Sequence, residues 1–192
     1  MLTASVANAV PITGSFALSN GFQNLPGPGA TSIVSNTTFF NLQPTAAVDT
    51  ATGSFAGVSS PATTSDFDIT NLPQVVFQTS GFSFTLNNAQ ILAEQDLTCS
   101  AGGLCTDNIA LDLTGVVTGP GDFEPTEFLG SFTANGSCIG ANGTCTEESS
   151  ASWSASLSAT GETVPTIPEP ASIALLGLGL VGMAAARRRL AS

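Results

Sequence analysis

Residues 108–113 read NIALDL, with Ile109, Leu111 and Leu113 at alternate positions and small or polar residues between them. In a β-strand, successive side chains point to opposite faces, so a period of two places all three apolar side chains on one face. A strand with one apolar and one polar face is typical of antiparallel sheets that cover a core on one side only. The stretch therefore predicts a half-buried antiparallel strand.

The same alternation extends in both directions along the chain. It occurs in ITGSFAL (residues 12–18), GFSFTL (81–86), EFLGSF (127–132) and SWSASL (152–157), while SDFDIT (65–70), QVVFQT (74–79) and TGSFAGV (52–58) are further candidate strands. Residues 87–95, NNAQILAEQ, are a candidate for a short helix in a loop. The side chains expected to face the core are those of Ile12, Phe16, Leu18, Phe82, Phe84, Leu86, Phe128, Phe132, Trp153 and Leu157.

The spacing of these segments predicts the fold class. They are short, rich in Thr, Val and Phe, and separated by Gly, Pro and Asn, which is the pattern of antiparallel strands joined by turns. Eight to ten such strands in roughly 150 residues predict two packed sheets. We therefore expect residues 10–163 to form an all-β domain, an antiparallel β-sandwich or jelly roll.

Charge is distributed very unevenly. All 14 acidic residues precede residue 187, the only cations are Arg187, Arg188 and Arg189, and His is absent. Proteins that bind nucleic acid contact its phosphates through Lys and Arg. The cation-free region cannot make such contacts, so nucleic-acid binding is excluded for it.

The C-terminus predicts a membrane span. Residues 171–186 carry no charge and include one polar residue, Ser172. As a helix they would be about 24 Å long, slightly short of a hydrocarbon core of about 30 Å, although flanking Arg side chains can extend to the interface. The alternative, a buried core helix, fits poorly with an adjoining Arg triplet. Because short basic tails stay cytoplasmic, residues 187–192 are expected inside and the domain outside.

The order of features in this tail resembles a known sorting signal. Pro168, Glu169 and Pro170 are followed by the apolar run and then by the Arg triplet, as in the PEP-CTERM signal of Gram-negative bacteria. The resemblance covers residues 164–192, with 164–170 as a Pro-rich linker. It implies export by the secretion machinery, transient anchoring in the inner membrane, and processing by the membrane protease-transpeptidase exosortase near the Pro-Glu-Pro motif.

The resemblance also implies a destination. Proteins with this signal are commonly linked to extracellular polysaccharide, biofilm matrix or surface structures, so we expect the mature protein at the cell surface or outside the cell. The segments DFDITNLP (66–73), GDFEPTEFLGSFTANG (121–136) and ASWSASLSATGE (151–162) are similar to uncharacterised β-rich ectodomains that precede such tails. No activity follows from that second similarity.

The N-terminus contains a candidate cleavage site. Ala7, Asn8 and Ala9 have the small-x-small pattern that signal peptidases recognise, with Val10 and Pro11 next in the chain. The basic and apolar regions that normally precede such a site are missing, so residues 1–9 are interpreted as the remnant of a secretory signal peptide. The alternative is a flexible N-terminus rich in Ala and Ser.

Four cysteines lie in two local pairs around Gly-rich turns. Cys99 and Cys105 flank SAGGL, and Cys138 and Cys145 flank IGANGT. An even count in an exported chain predicts two disulfides, and the turn-like interiors favour the local pairing among the three possible ones. The alternative is a zinc site built from four thiolates, but zinc-binding cysteines usually lie closer in sequence.

The composition excludes most catalytic chemistry. Without His, neither a Ser-His-Asp nor a Cys-His arrangement can form. Without Lys there is no Schiff base. A carboxylate pair of the glycosidase type is still possible, from Glu94 and Asp96 or from Asp122, Glu124 and Glu127. In an acidic chain such pairs arise by chance, so we expect no enzymatic activity.

Calcium is the one cofactor that the sequence allows. Asp66 and Asp68, and likewise Asp122 and Glu124, are spaced so that two acids lie on one side of a strand or loop, but no EF-hand-like loop is present. We otherwise expect no cofactor. The chain also contains Asn-x-Ser/Thr sequons, which in a Gram-negative source predict no glycan; they begin at Asn36, Asn135 and Asn142.

Two function classes are compatible with these observations. The first is a non-enzymatic surface or matrix protein that is structural or binds extracellular polysaccharide. The second is a carboxylate-dependent enzyme that acts on extracellular glycan. Sugar-binding proteins usually stack sugars on exposed Trp or Tyr. This chain has no Tyr, and its one Trp, Trp153, lies in a core-like pattern, which slightly favours a structural role.

Overall fold

The alternating segments form strands, and their apolar side chains face inward. The structure is a computed structural model that describes residues 9–163. In the segment NIALDL, Ile109, Leu111 and Leu113 are no more than 2% exposed. The other predicted core residues from Ile12 to Leu157 are also buried. Period-two alternation therefore identified the core-facing residues correctly.

Thirteen strands and one short 3₁₀ turn make up the described region. The turn is Gly53–Phe55, between the fourth and fifth strands. The strands are β1 Val10–Pro11, β2 Thr13–Gly21, β3 Phe39–Phe40, β4 Thr45–Ala51, β5 Ala62–Thr64, β6 Phe67–Asp68, β7 Gln74–Thr79, β8 Phe82–Cys99, β9 Leu104–Thr118, β10 Phe123–Glu124, β11 Thr126–Ala141, β12 Thr144–Cys145 and β13 Ser150–Thr163.

Eight of these strands form one antiparallel sheet that closes on itself. The order is β11-β13-β2-β4-β5-β7-β8-β9, and β9 pairs back onto β11. This closing pair runs without a register shift from Thr126 opposite Val117 to Ile139 opposite Leu104. Closure removes the two edges that an open sheet would expose. The predicted all-β antiparallel class is confirmed. Instead of two separate sheets, opposite walls of one closed sheet form the two packed layers.

Opposite walls of the closed sheet pack face to face through aromatic rings, as the layers of a sandwich do. Phe16 on β2 stacks on Phe84 of β8, with ring centroids 5.3 Å apart. Phe77 on β7 stacks on Trp153 of β13 at 5.9 Å. Such ring pairs are worth about 0.5–1.5 kcal/mol beyond the area they bury. The interior is therefore filled with side chains.

Gly115 on β9 has no side chain, which leaves room for a further core ring, that of Phe128. A Cβ atom on Gly115 would lie 2.7 Å from the ring of Phe128, which is on the neighbouring strand β11 and only 2% exposed. Only glycine fits at this position without displacing the ring. The tight fit shows how closely this part of the core is packed.

A long connection covers part of the core. Residues 22–42, here called the covering segment, form most of the connection from β2 to β4 and contain the short strand β3, which pairs with β6. Phe40 of this segment is 1% exposed, and its ring lies 4.8 Å from that of Phe67 and 5.3 Å from that of Phe132. The covering segment thus contributes directly to the hydrophobic core.

Two local predictions were wrong. Residues 87–95 lie within strand β8 instead of forming a helix, because they pair with β9 across several register shifts. Residues 52–58 form the 3₁₀ turn and its flanks instead of a strand, although Phe55 is fully buried there. In both cases the local pattern was ambiguous and the pairing or packing partner decided the conformation.

Several predicted segments lie outside the described residues. They are residues 1–8 of the predicted signal remnant 1–9, the linker 164–170, the helix 171–186 and the tail 187–192. Between residues 9 and 163, no helix has the length and apolar character needed to cross a membrane.

Candidate functional site

The first pair of candidate calcium ligands binds the protein's own polar groups. Asp66 accepts hydrogen bonds from the backbone N–H of Leu42 and the side-chain amide of Asn41, both at 2.9 Å. Asp68 accepts hydrogen bonds from the hydroxyl of Thr70 at 2.7 Å and from its backbone N–H at 2.9 Å. The two carboxylates therefore bind two different parts of the chain, residues 41–42 and Thr70.

The Thr70 contacts also set the acidity of Asp68. The hydrogen bond from the Thr70 hydroxyl, and after it the one from the Thr70 backbone N–H, lower the pKa of the Asp68 carboxyl below its ordinary value. Both donors favour the charged form of the acid. The carboxylate is thus stabilised as an anion by hydrogen-bond donors, in a described region (residues 9–163) that contains no Lys or Arg.

The second pair of calcium candidates lies where the chain leaves β9. Asp122 ends an exposed turn, and Glu124 belongs to β10, which pairs in parallel with β1. Nowhere in residues 9–163 do three or more His, Cys, Asp or Glu side chains come together as metal ligands would. The geometry of the described region therefore adds no support to a calcium site at these residues.

The carboxylate pair of β8 is used to hold the covering segment. Glu94 accepts a hydrogen bond from the backbone N–H of Asn36, and Asp96 accepts one from the Asn36 side-chain amide at 2.8 Å. The backbone of Asn36 has a positive φ of 56°. Both acids therefore contact the same turn residue. The other candidate acid, Glu127, projects from the outer face of β11.

One buried acid was not singled out from the sequence. Asp107 on β9 is 1% exposed, and its Oδ2 atom accepts hydrogen bonds from the backbone N–H groups of Ile33, Val34 and Ser35 at 2.7–3.0 Å. The signal was present, because Asp107 has the same alternation phase as Ile109. An acid at an inward position of a strand indicates an anchor for backbone donors.

The covering segment forms the wall of a cleft of about 400 Å³. Its apolar side chains include Ile33, Val34 and Phe40, which are buried. Phe39 also lines the cleft but is 51% exposed, so its ring is accessible from solvent. The cleft therefore combines a buried apolar floor with an exposed aromatic ring.

Three amide side chains line the same cleft and are held in place by internal hydrogen bonds. Gln23 donates to the carbonyl of Leu42 at 2.7 Å, and Asn24 donates to the side-chain oxygen of Asn41 at 3.3 Å. Asn41 in turn donates to Asp66 at 2.9 Å. Each primary amide has two N–H donors and an acceptor oxygen, so these internal bonds leave each side chain with further capacity for a ligand.

The aromatic residue exposed to solvent is not the tryptophan. Trp153 is 2% exposed, stacks between Phe77 and Phe132, and donates its indole N–H to the carbonyl of Gly21 at 2.8 Å. The interpretation of Trp153 as a core residue is confirmed. All aromatic residues of the chain lie in the described region, and among them only Phe39 is exposed.

Both favoured disulfides are present. Cys99 and Cys105 face each other across the β8–β9 pair, and Cys138 is bonded to Cys145 across the hairpin of β11 and β12. No free cysteine is present. Cys138 is also the register partner of Cys105. The two bridges therefore reinforce the same end of the closed sheet.

The sorting residues follow directly on the last strand. Pro168, Glu169, Pro170 and the Arg triplet lie outside the described residues, after β13, which ends at Thr163. No curated protein and no solved structure matches the chain. Residues 166–189 match the family model of the PEP-CTERM protein-sorting motif. The chain therefore carries a PEP-CTERM sorting motif behind a β-rich body.

Proposed function

We propose that this is an exported, non-enzymatic cell-surface or extracellular-matrix protein whose β-domain is delivered by its C-terminal signal. The observation that carries the proposal is the match to the sorting motif at residues 166–189, starting three residues after strand β13 ends. In this order, the chain would cross the inner membrane, fold on its far side, stay anchored by residues 171–186 and be released or transferred by exosortase.

The chemistry of the domain supports a location outside the cytoplasm. Two disulfides with no remaining thiol fit an oxidising compartment. One of the two candidate catalytic sets, Glu94 and Asp96, binds Asn36. This use of the acids supports a role without catalysis, as either a structural coat or a binding protein.

If the domain binds a ligand, the cleft of the covering segment is the best place for it. The exposed ring of Phe39 can stack on the apolar face of a sugar, while the amides of Gln23 and Asn41 can bond to its hydroxyl groups. The surrounding domain contains acids and no cations, so it repels polyanions. We therefore propose a neutral extracellular polysaccharide as the ligand.

Sorting is tested in the natural host with the full chain. The wild-type protein should appear at the cell surface or in the medium in a shortened form that lacks residues 171–192. Replacing Arg187, Arg188 and Arg189 with Gln should leave it unprocessed in the membrane, whereas the control change Ser192→Ala, outside the matched motif, should be sorted normally. Unchanged sorting of the triple variant, or a full-length cytoplasmic protein, would contradict the proposal.

Ligand binding is tested with the exported protein and the host's own neutral exopolysaccharide. Phe39→Ala should weaken binding by about tenfold, equivalent to roughly 1.4 kcal/mol. The matched control is Leu129→Ala, which removes another exposed apolar side chain, 56% exposed, from strand β11. Equal effects of the two changes, or no binding by the wild type, would leave only the structural role.

Catalysis is tested on the same material. The polysaccharide should keep its length distribution after prolonged incubation with the protein. If the wild-type protein instead releases glycan fragments, and the double variant Glu124→Gln and Glu127→Gln does not, the protein is a carboxylate-dependent enzyme. That result would overturn the non-enzymatic part of the proposal.

A further inference from the structure

A second cavity lies on the outer face of the closed sheet. It has a volume of about 460 Å³ and crosses the neighbouring strands β9, β11 and β13. Two rows of side chains line it, and the residues within each row are register partners across the strands. The amide row consists of Asn108, Asn135 and Ser152, and the hydroxyl row consists of Thr106, Ser137 and Ser150. We call this cavity the cross-strand groove.

The alternation of the strands produces the groove. Asp107, Gly136 and Ala151 separate the two rows; Asp107 and Ala151 point their side chains inward and Gly136 has none, so backbone forms the floor. Two rows that are two residues apart on a strand are separated by about 7 Å, and three strands span about 10 Å. The groove is therefore narrow and elongated, which suits a linear polymer.

The two ends of the groove differ. At the β8 end, Asn108 donates its side-chain amide to Gln95 at 2.9 Å, and Gln95 donates to the hydroxyl of Thr98 at 3.1 Å. Thr98 extends the hydroxyl row, so Gln95 connects the two rows and closes this end. At the other end, Ser152 is opposite Gly21 of β2, which has no side chain. A polymer would therefore leave the groove over β2.

The walls of the groove are polar and uncharged, unlike other outward positions of the same strands. Asp112 on β9 is an exposed acid, and the register partners Leu104 and Ile139 are exposed aliphatic residues. The side chain of Asn135 makes no hydrogen bond within residues 9–163, so both its N–H donors and its oxygen are open to a ligand. The groove thus offers donors and acceptors without charge.

We propose that the cross-strand groove binds a linear, neutral polysaccharide through the hydroxyl groups of its sugars. Sugar hydroxyls both donate and accept hydrogen bonds, as the amide and hydroxyl side chains of the groove do. Anionic polymers are disfavoured, because the domain has no cations and the buried carboxylate of Asp107 lies beneath the floor. Peptides fit less well, because the groove has no apolar pocket for their side chains.

This inference rests on the proposed binding of extracellular polysaccharide and assigns it a second site. The cleft of the covering segment is on the other side of the sheet, because its residues Ile33 and Val34 bind the inward side chain of Asp107. The cross-strand groove is outside Asp107, on the solvent face. The two sites are therefore separate and can be tested separately.

The location of the ligand is tested by NMR, with the exported protein labelled with nitrogen-15 and short oligosaccharides made from the host's neutral exopolysaccharide. The side-chain amide signals of Asn108 and Asn135 should shift during the titration. Shifts confined to Gln23, Asn24 and Asn41 would place the ligand in the cleft alone, and would overturn this inference while leaving the proposed ligand binding intact. The absence of any shift would contradict both.

The contribution of the groove is tested by substitution. Asn135→Ala should weaken binding of these oligosaccharides by about fivefold, equivalent to roughly 1 kcal/mol, which is the range for one hydrogen bond. The matched control is Asn88→Ala, which removes an exposed amide of β8 outside the groove and should leave binding unchanged. Urea denaturation should give the same midpoint for both variants, so that a loss of binding does not reflect unfolding. Wild-type affinity in Asn135→Ala would overturn the assignment of the groove.

The charge preference is tested with a polyuronate of similar length as the anionic probe. The same Asn108 and Asn135 signals should stay unchanged in its presence. A polyuronate that binds as tightly as the neutral oligosaccharides would overturn the assignment of a neutral ligand.

Discussion

Asp107 and Ser35 are joined by two hydrogen bonds to a single oxygen atom. The Oδ2 atom of Asp107 accepts the backbone N–H of Ser35 at 3.0 Å and its hydroxyl at 2.9 Å, in addition to the N–H groups of Ile33 and Val34. The other oxygen, Oδ1, is buried without a partner among the described residues. A single carboxylate thus fixes three successive residues of the covering segment against the closed sheet.

Removing the charge of Asp107 should loosen the covering segment. Because hydrogen bonds to charged groups contribute about 1.5–3 kcal/mol, we expect Asp107→Asn to lower the free energy of unfolding by about 2 kcal/mol. Urea denaturation measures the loss, and hydrogen exchange should show faster exchange of the Ile33, Val34 and Ser35 amides. The control is Asp112→Asn on the outer face of β9, which should change neither. Equal stability of the two variants would contradict the anchoring role.

Asp68 should stay ionised, and continue to stabilise the fold, until the pH falls below the ordinary carboxyl pKa of 3.8. The pKa of this carboxyl is lowered in the folded state, so its contribution to stability is fully present above the ordinary value of 3.8. That contribution is lost as the pH falls through the lower, folded-state pKa. Replacing the donor, with Thr70→Val, should raise the Asp68 pKa toward its ordinary value. An NMR titration of the Asp68 side chain measures this shift, and an unchanged pKa in the variant would refute the assigned cause.

The buried face of the fold was predictable because it depends on local alternation. The segment around Ile109 and the segment around Phe84 each repeat the pattern over several residues, and an inward position for one member fixes the phase of the rest. Closure of the sheet was not predictable in this way. Closure depends on which strands become neighbours. The alternation pattern of a single segment does not indicate its neighbours, so it could not predict that β9 pairs with β11.

The candidate site was harder to predict for the same reason. Phe39 and Asn41 come from the covering segment, which lacks a periodic pattern, and they become a cleft only when Phe40 packs on Phe132 of the sheet. The inward position of Asp107 could be predicted from its alternation phase, which it shares with Ile109. Its partners could not, because Ile33, Val34 and Ser35 lie in a segment without a periodic pattern. The sorting motif, in contrast, is a linear signal and was identified from residues 168–170 and the tail alone.

The two disulfides should account for all cysteines and stabilise one end of the sheet. Denatured, unreduced protein should react with no thiol reagent, and reduced protein should react at Cys99, Cys105, Cys138 and Cys145. Because the bridges close loops with separations of only 6 and 7 residues, replacing either pair by Ser should cost no more than about 2–3 kcal/mol. Two reactive thiols before reduction would contradict the pairing.

Trp153 should report directly on the integrity of the aromatic core. Its indole ring lies 5.7 Å from the ring of Phe132 and 5.9 Å from that of Phe77, shielded from water by both. We expect blue-shifted fluorescence with little quenching by acrylamide, and a shift to the red on unfolding. Trp153→Phe should lower the free energy of unfolding by about 2 kcal/mol, because it removes the indole hydrogen bond to Gly21 and part of the ring contact. A readily quenched Trp153 in the folded protein would show that the opposite walls do not meet around this ring.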